Sequence, residues 1–160
     1  MAKGKKKQPD NEPEVLNRKA RHDYHIEETL EVGIKLHGSE VKAVRAGKIS
    51  LGEAYVRAEQ VPLSLSLHSA HIGEYAPAGP NQHAAVRQRT LLAHKREIAK
   101  LAMLSAAKGV TIVPLKLYFK NGYAKLLVGV GRGKGKSDKR EDLKKREAQR
   151  DIDRAMSKRV

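Results

Sequence analysis

The dipeptide Asn121-Gly122, set between two alternating apolar runs, constrains this chain more than any other feature. A two-residue type I′ turn needs positive φ at both positions, and Asn and Gly tolerate that best. With the turn closed there, register follows. Phe119 faces Ala124, Leu117 faces Leu126, Leu115 faces Val128 and Val113 faces Val130, which predicts one continuous apolar face. The opposite face reads Lys116, Tyr118, Lys120, Tyr123 and Lys125. Lysines meet phosphates while tyrosine rings stack or hydrogen-bond, so such a face is a candidate nucleic-acid surface. In an arbitrary protein such a face is more often simply the solvated side of a half-buried hairpin.

Before the hairpin, Leu91, His94, Ile98, Leu101, Ala102 and Ser105 recur at helical spacing, and Gly109 follows. The spacing predicts an amphipathic helix capped by Thr90, with Lys95, Arg96 and Lys100 on its outer side. Further upstream, Tyr24, Ile26, Leu30, Val32, Ile34 and Leu36 alternate with polar residues, broken only by Glu28. This reads as a long half-buried strand, bent at Gly33. Gly38-Ser39-Glu40 then opens a short helix carrying Val41 and Val44 and ended by Gly47. Ala54 to Glu59 and Leu63 to His68 read as two more strands, extended after a phase shift to Ile72, and Gly73 to His83 as a loop. The whole is mainly β: five or six antiparallel strands curled into a small barrel, with one longer and one or two short flanking helices.

Among 160 residues, 33 are Lys or Arg and 18 Asp or Glu, a formal net charge of +15 spread over body and tails alike. That excess goes beyond what solubility needs and points to a polyanion, nucleic acid before anionic membrane. Cysteine is absent, which excludes disulfides, thiolate nucleophiles and zinc-thiolate sites. No apolar run approaches the length of a membrane span and no signal-like segment opens the sequence, so a cytoplasmic protein is expected. Residues 1–13 read as a disordered basic arm and 14–130 as the barrel. Residues 131–160 read as a basic tail, because Gly131-Arg132-Gly133-Lys134-Gly135-Lys136 is too glycine-rich and charged to extend a strand. Its later part favours helix through i,i+4 pairs, but the stripe of Ala148, Ile152, Ala155 and Met156 is narrow. Such a segment is marginal alone, disordered when free, and fits equally a helix that folds on a partner surface and a solvated tail.

Seven histidines prompt a search for catalysis or a metal. His22 and His25, or His68 and His71, stand three apart, a spacing that points to opposite faces on a strand, and nothing completes a ligand set. No metal or cofactor is expected, and no residue order marks an RNA-cleaving acid–base pair. The glycines of 131–135 lack the Ser/Thr-bearing helix start of a nucleotide-binding loop.

Specific strings carry a resemblance: Asn17-Arg18-Lys19-Ala20 with Tyr24 and Ile26, Gly38-Ser39-Glu40-Val41-Lys42, and His94-Lys95-Arg96-Glu97-Ile98. Val113-Pro114-Leu115, Leu117-Tyr118-Phe119-Lys120 and Gly133-Lys134 through Asp138-Lys139-Arg140-Glu141 follow. Over nearly all of residues 15–160 the chain resembles the bacterial SsrA-binding protein (small protein B) family. The resemblance implies an oligonucleotide-binding-like barrel that binds the tRNA-like domain of transfer-messenger RNA. It further implies delivery of that RNA to ribosomes stalled without a stop codon, with no enzymatic activity and a monomer on its RNA. Asn17, Arg18, Lys19, Glu31 and Lys125 are the matching RNA-face positions. The tail, with Lys134, Lys136, Ser137, Asp138, Lys139 and Arg140 at its root and Ile152 and Met156 on its stripe, is implied to enter the messenger channel near the decoding centre of the small subunit and become helical there. The family commonly has His or Tyr where Ser137 stands, so a stacking role is not carried to that position. An accessory ribosomal or general RNA-binding protein and a small RNA-processing enzyme are the alternative readings.

Overall fold

The structure, a computed structural model, describes residues 12–158, so all of the expected arm over 1–13 except Glu12 and Pro13 lies outside the described residues. In chain order the elements are β1 (Val15–Leu16), α1 (Arg18–Asp23), β2 (Tyr24–Ile34), α2 (Gly38–Arg45), β3 (Ile49–Ser50), β4 (Tyr55–Gln60) and β5 (Leu63–His68). There follow β6 (His71–Ile72), a 3-10 segment (Ala76–Asn81), β7 (Arg89–Leu92), α3 (Lys95–Ser105), β8 (Val110–Lys120), β9 (Tyr123–Gly133) and α4 (Lys136–Ser157). Antiparallel pairing runs β8-β4-β5-β7-β2-β9, and β9 pairs back onto β8, so six strands close on themselves into the expected barrel. Closure leaves the barrel strands without a free outer edge.

The interior is filled by Val32 and Ile34 of β2, Leu65 and Leu67 of β5, Ile112, Leu117 and Phe119 of β8, and Leu126, Val128 and Val130 of β9. Ala43 and Val44 of α2 and Ile98 and Leu101 of α3 join the same cluster. Asn121 and Gly122 both take positive φ, 53° and 80°, as the turn requires. The register beyond it holds for Phe119↔Ala124 and Leu117↔Leu126.

Past Leu117 the expected register fails. A bulge between Pro114 and Lys116 pairs Pro114 with Val128, Val113 with Gly129 and Ile112 with Val130. The extra residue reverses the side-chain phase. Val113 and Leu115 therefore turn outward, where α1 covers them through Ala20, together with Tyr24, Ile26 and Leu127. A second bulge, between Ile26 and Glu28, does the same to β2: Tyr24 and Ile26 lie on this outer pad, and Val32 and Ile34 point in.

Two boundaries also differ from the sequence reading. Thr90 lies on β7, paired with Ser66, and α3 begins at Lys95 behind His94, whose N–H donates to Glu97 Oε2 at 2.9 Å. Leu91 is thus a buried strand residue and not part of the helix. The barrel also extends beyond Val130, because β9 runs to Gly133 and pairs Gly131 with Ile26 and Gly133 with Tyr24. The glycines permit the strand here: a Cβ on Gly131 would lie 2.6 Å from the His25 carbonyl oxygen, and one on Gly129 2.9 Å from Leu115 Cδ1.

Residues 136–157, expected to be disordered when free, form one helix in the structure, with none of its residues buried. Good helix formers and Asp138, accepting from the Gly135 N–H at 3.3 Å, supply the local preference.

Candidate nucleic-acid interface

Paired residues of antiparallel strands share a face, so register alone assembles the outer wall. Tyr118↔Lys125, Lys120↔Tyr123, Lys116↔Leu127 and Glu31↔Leu127 place Lys116, Tyr118, Lys120, Tyr123, Lys125 and Glu31 on one side of β8, β9 and β2. The Tyr118 hydroxyl donates to the Glu31 carboxylate. Lys120 Nζ lies 3.5 Å from that carboxylate, and Lys116 Nζ sits 4.9 Å from the Tyr118 ring centre and 3.0 Å from Glu14. The hydrogen bond from Tyr118, then the charge of Lys120, holds the Glu31 carboxyl below its ordinary range. Partial burial, then the Glu31 hydrogen bond, pushes the Tyr118 phenol up to about 12. Tyr123 is 72% exposed, with its ring open to solvent.

This wall offers three ammonium groups for phosphates, one exposed aromatic plate for a base, and one fixed carboxylate. A carboxylate amid lysines accepts from base amino groups or a ribose hydroxyl and disfavours phosphate at that point, so it imposes position as well as attraction. Beside it lies an open groove lined by Glu31, Gly33, Leu92, Ala93, His94, Glu97 and Lys125. Gly33 lets Leu92 close over the strand, since a Cβ there would stand 3.3 Å from Leu92 Cβ. Sequence reading missed this groove because it assigned Leu91 and His94 to a helix. The one signal that could have revealed it was Glu97, three residues after His94 at capping-box spacing.

Of the family-matched residues on α1, Arg18 and Lys19 are exposed, and Lys19 pairs with Glu53. Asn17 is 5% exposed. Its Oδ1 accepts from the Ala20 N–H at 3.1 Å, and its Nδ2 donates to the carbonyls of Leu51 at 3.0 Å and Pro114 at 2.8 Å. Both Nδ2 hydrogens are spent seating α1 against the bulge of β8, so Asn17 fixes the helix that presents Arg18 and Lys19.

At the tail's root, Lys134 donates to Asp142 and to the Arg21 carbonyl at 3.1 Å. Lys139 lies 3.1 Å from Asp23, and His25 Nε2 lies 3.4 Å from Asp138. Hydrogen bonds from His22, then Lys139, hold Asp23 below the ordinary carboxylate range. These contacts sit in the first two turns of α4, beside α1. Lys136, Ser137 and Arg140 are exposed, as are Ile152 and Met156 at 52% and 68%, so the whole apolar stripe is uncovered.

A buried acid, one buried cation and one half-buried cation hold the far side. Glu40, the first-turn acid of α2, is fully buried and accepts from Arg87 and Arg89; Arg89 also donates to the Ala70 carbonyl at 2.8 Å. No three His, Cys, Asp or Glu side chains converge as a metal site among the described residues. No helix among them is long and apolar enough to cross a membrane.

A family model described as "SmpB protein" matches residues 14–158. The SsrA-binding protein of Anoxybacillus flavithermus is 51% identical over 143 residues, 89% of this chain and 92% of that one. The SsrA-binding protein of Geobacillus sp. strain WCH70 is 52% identical over 143 residues, 89% and 91% of the two chains. A chain in the solved structure described as "tmRNA-SmpB: a journey to the center of the bacterial ribosome" superposes with a TM-score of 0.66 at 42% identity. That match covers 82% of this chain and 94% of the other.

Proposed function

The chain belongs to the SmpB protein family, and from that membership we propose that it is the adaptor that binds the tRNA-like domain of transfer-messenger RNA and brings it to stalled ribosomes. The reading makes it a non-enzymatic protein of the cytoplasm, working as a monomer on its RNA. The observation that carries it is the outer wall of β8, β9 and β2: lysines 116, 120 and 125 surround a tyrosine-clamped Glu31, and the same side of the barrel continues into the exposed Arg18 and Lys19 of α1. In this reading Lys116, Lys120, Lys125, Arg18 and Lys19 neutralise phosphates, Glu31 accepts from a base or ribose, and Tyr123 stacks. Tyr118 acts through Glu31, which it orients.

The tail has a separate task. Its root is tied to α1 by Lys134 and Lys139 and to β2 by His25, while Ile152 and Met156 face solvent on a helix with no buried residue. A helix so poorly packed gains most of its stability from what it docks on. The messenger channel and decoding centre of the small subunit, walled by phosphates, suit its cations.

Truncation after Lys136 tests both halves. The barrel keeps every paired strand, so folding and affinity for transfer-messenger RNA persist, whereas peptide tagging on reconstituted stalled ribosomes is lost. Normal tagging by the truncated protein removes the tail's role, and loss of RNA binding removes the division of labour. Selection of transfer-messenger RNA over bulk ribosomal RNA at physiological salt separates this reading from a general basic RNA binder.

A further inference from the structure

We propose that the stacked pair Tyr55–His68, at the edge of the groove beneath α1, is a second RNA subsite that takes one unstacked nucleobase. The proposal rests on the RNA-binding reading above and concerns strands β4 and β5, which that reading does not use.

Tyr55 opens β4 and His68 closes β5, and the two are cross-strand partners. Their neighbours Val56 and Leu67 point into the core at 5% and 1% exposure, so alternation sends both rings outward. The rings lie 5.1 Å apart at 9° to each other, a stacked arrangement. Ser66, two residues back on the same face, meets His68 Nε2 through its hydroxyl at 2.9 Å and fixes the imidazole. The tyrosine is thus held flat on one side and is still 44% exposed.

The Tyr55 ring also borders a groove of about 310 Å³ between α1 and the sheet, lined by Lys19, Asp23, Tyr24, Glu53 and Thr111 among others. Asp23 and Glu53 make the interior unfavourable for a phosphate, and Lys19 is already paired with Glu53. An uncharged base suits it. The phosphates on either side of such a base then fall near Arg18 and Arg21 of α1, both exposed, and near Arg57, which projects on the same face as Tyr55 and is exposed while paired with Glu59 at 2.8 Å. A rigid ring with one occupied face, beside cations and above an acid-lined groove, has the parts of a stacking platform for a single base. The groove is too small for a duplex.

The test uses the full chain with the tRNA-like domain of transfer-messenger RNA as probe. Tyr55→Leu, which keeps bulk but removes the ring, is expected to weaken binding about 5- to 150-fold, the range base–aromatic stacking gives. Tyr55→Phe is expected to bind like the parent. The salt dependence of Tyr55→Leu keeps the parental slope because no charge is lost. Ultraviolet cross-linking of the unaltered protein, mapped by mass spectrometry, is expected to give a base adduct on Tyr55, and it answers the question even if Tyr55→Leu folds poorly. Parental affinity in a folded Tyr55→Leu, or no adduct at Tyr55 in a complex that cross-links elsewhere, overturns the subsite and leaves the function reading intact. Failure of the unaltered protein to bind the probe overturns the function reading, and this subsite with it.

Discussion

Tyr118 on β8 reaches across β9 to donate its hydroxyl to Glu31 on β2, tying together the three strands of the proposed RNA wall. The Tyr118 phenol is raised to about 12, by burial first and by Glu31 second. A group with a raised folded value stabilises the fold below its unfolded value, near ~10 for a phenol, and loses that contribution as pH climbs through about 12. Glu31 is depressed, so its contribution is present above the ordinary carboxylate range and fades as pH falls through its lower value. Ultraviolet titration should show one late-ionising tyrosine, and Glu31→Gln should bring that ionisation to lower pH. An unchanged titration in Glu31→Gln would mean that burial alone sets it.

Lys125→Ala should weaken RNA binding and leave melting unchanged, because its side chain lies on the outer wall next to Tyr118. Leu117→Ala should cost about 2–5 kcal/mol, since Leu117 is fully buried and its loss opens a cavity in the barrel. Thermal melting with parallel RNA titrations separates the two effects; a reversed pattern would invert the face assignment.

Glu40→Gln should destabilise by about 3–5 kcal/mol, because it leaves the fully buried guanidinium of Arg89 without its counter-charge. Burial pushes the Glu40 carboxyl up, but hydrogen bonds from Arg89 and Arg87 outweigh it and the value lies below normal. The stabilisation is therefore present above the ordinary carboxylate range and is lost as pH falls through the depressed value. Urea melts at neutral and acidic pH should find the two proteins converging in acid.

Gly131→Ala should cost about 1–3 kcal/mol, because the new Cβ would stand 2.6 Å from the His25 carbonyl and force β2 and β9 apart. Gly133→Ala, with nothing within 4 Å, should melt nearly like the parent. Equal melting of both variants would contradict the pairing of β9 beyond Val130.

Ser69 holds φ at 59°, a left-handed conformation that costs most L-residues about 1–2 kcal/mol. Ser69→Gly should thus stabilise by about 0.5–1 kcal/mol after its larger unfolded-state entropy is deducted, and Ser69→Asn should act in the same direction. A lower melting temperature in both would show that the serine side chain compensates locally.

Local chemistry in the sequence determined the Asn121-Gly122 turn, the register out to Leu117 and the composition of the outer wall, because each depends on φ preferences and alternation over a few residues. The basic, tyrosine-bearing face was legible for that reason, and the family resemblance added Asn17, Arg18, Lys19, Glu31 and Lys125 as expected RNA-face positions. Tertiary structure decided what local preference leaves open. Whether an apolar strand continues or bulges is settled by what covers its other side, and only the docking of α1 gives Val113 and Leu115 an outer partner. The glycine run after Val130 looked like the start of a linker, yet it is strand, because the close approach of His25 admits no side chain at Gly131. Asn17 carries family-motif chemistry but spends it on Ala20, Leu51 and Pro114, up to 97 positions away. Likewise nothing near Glu40 announces Arg89, 49 residues on. A buried charge is tolerable only where the fold brings its counter-charge, and that is a property of the closed barrel rather than of either residue's neighbours.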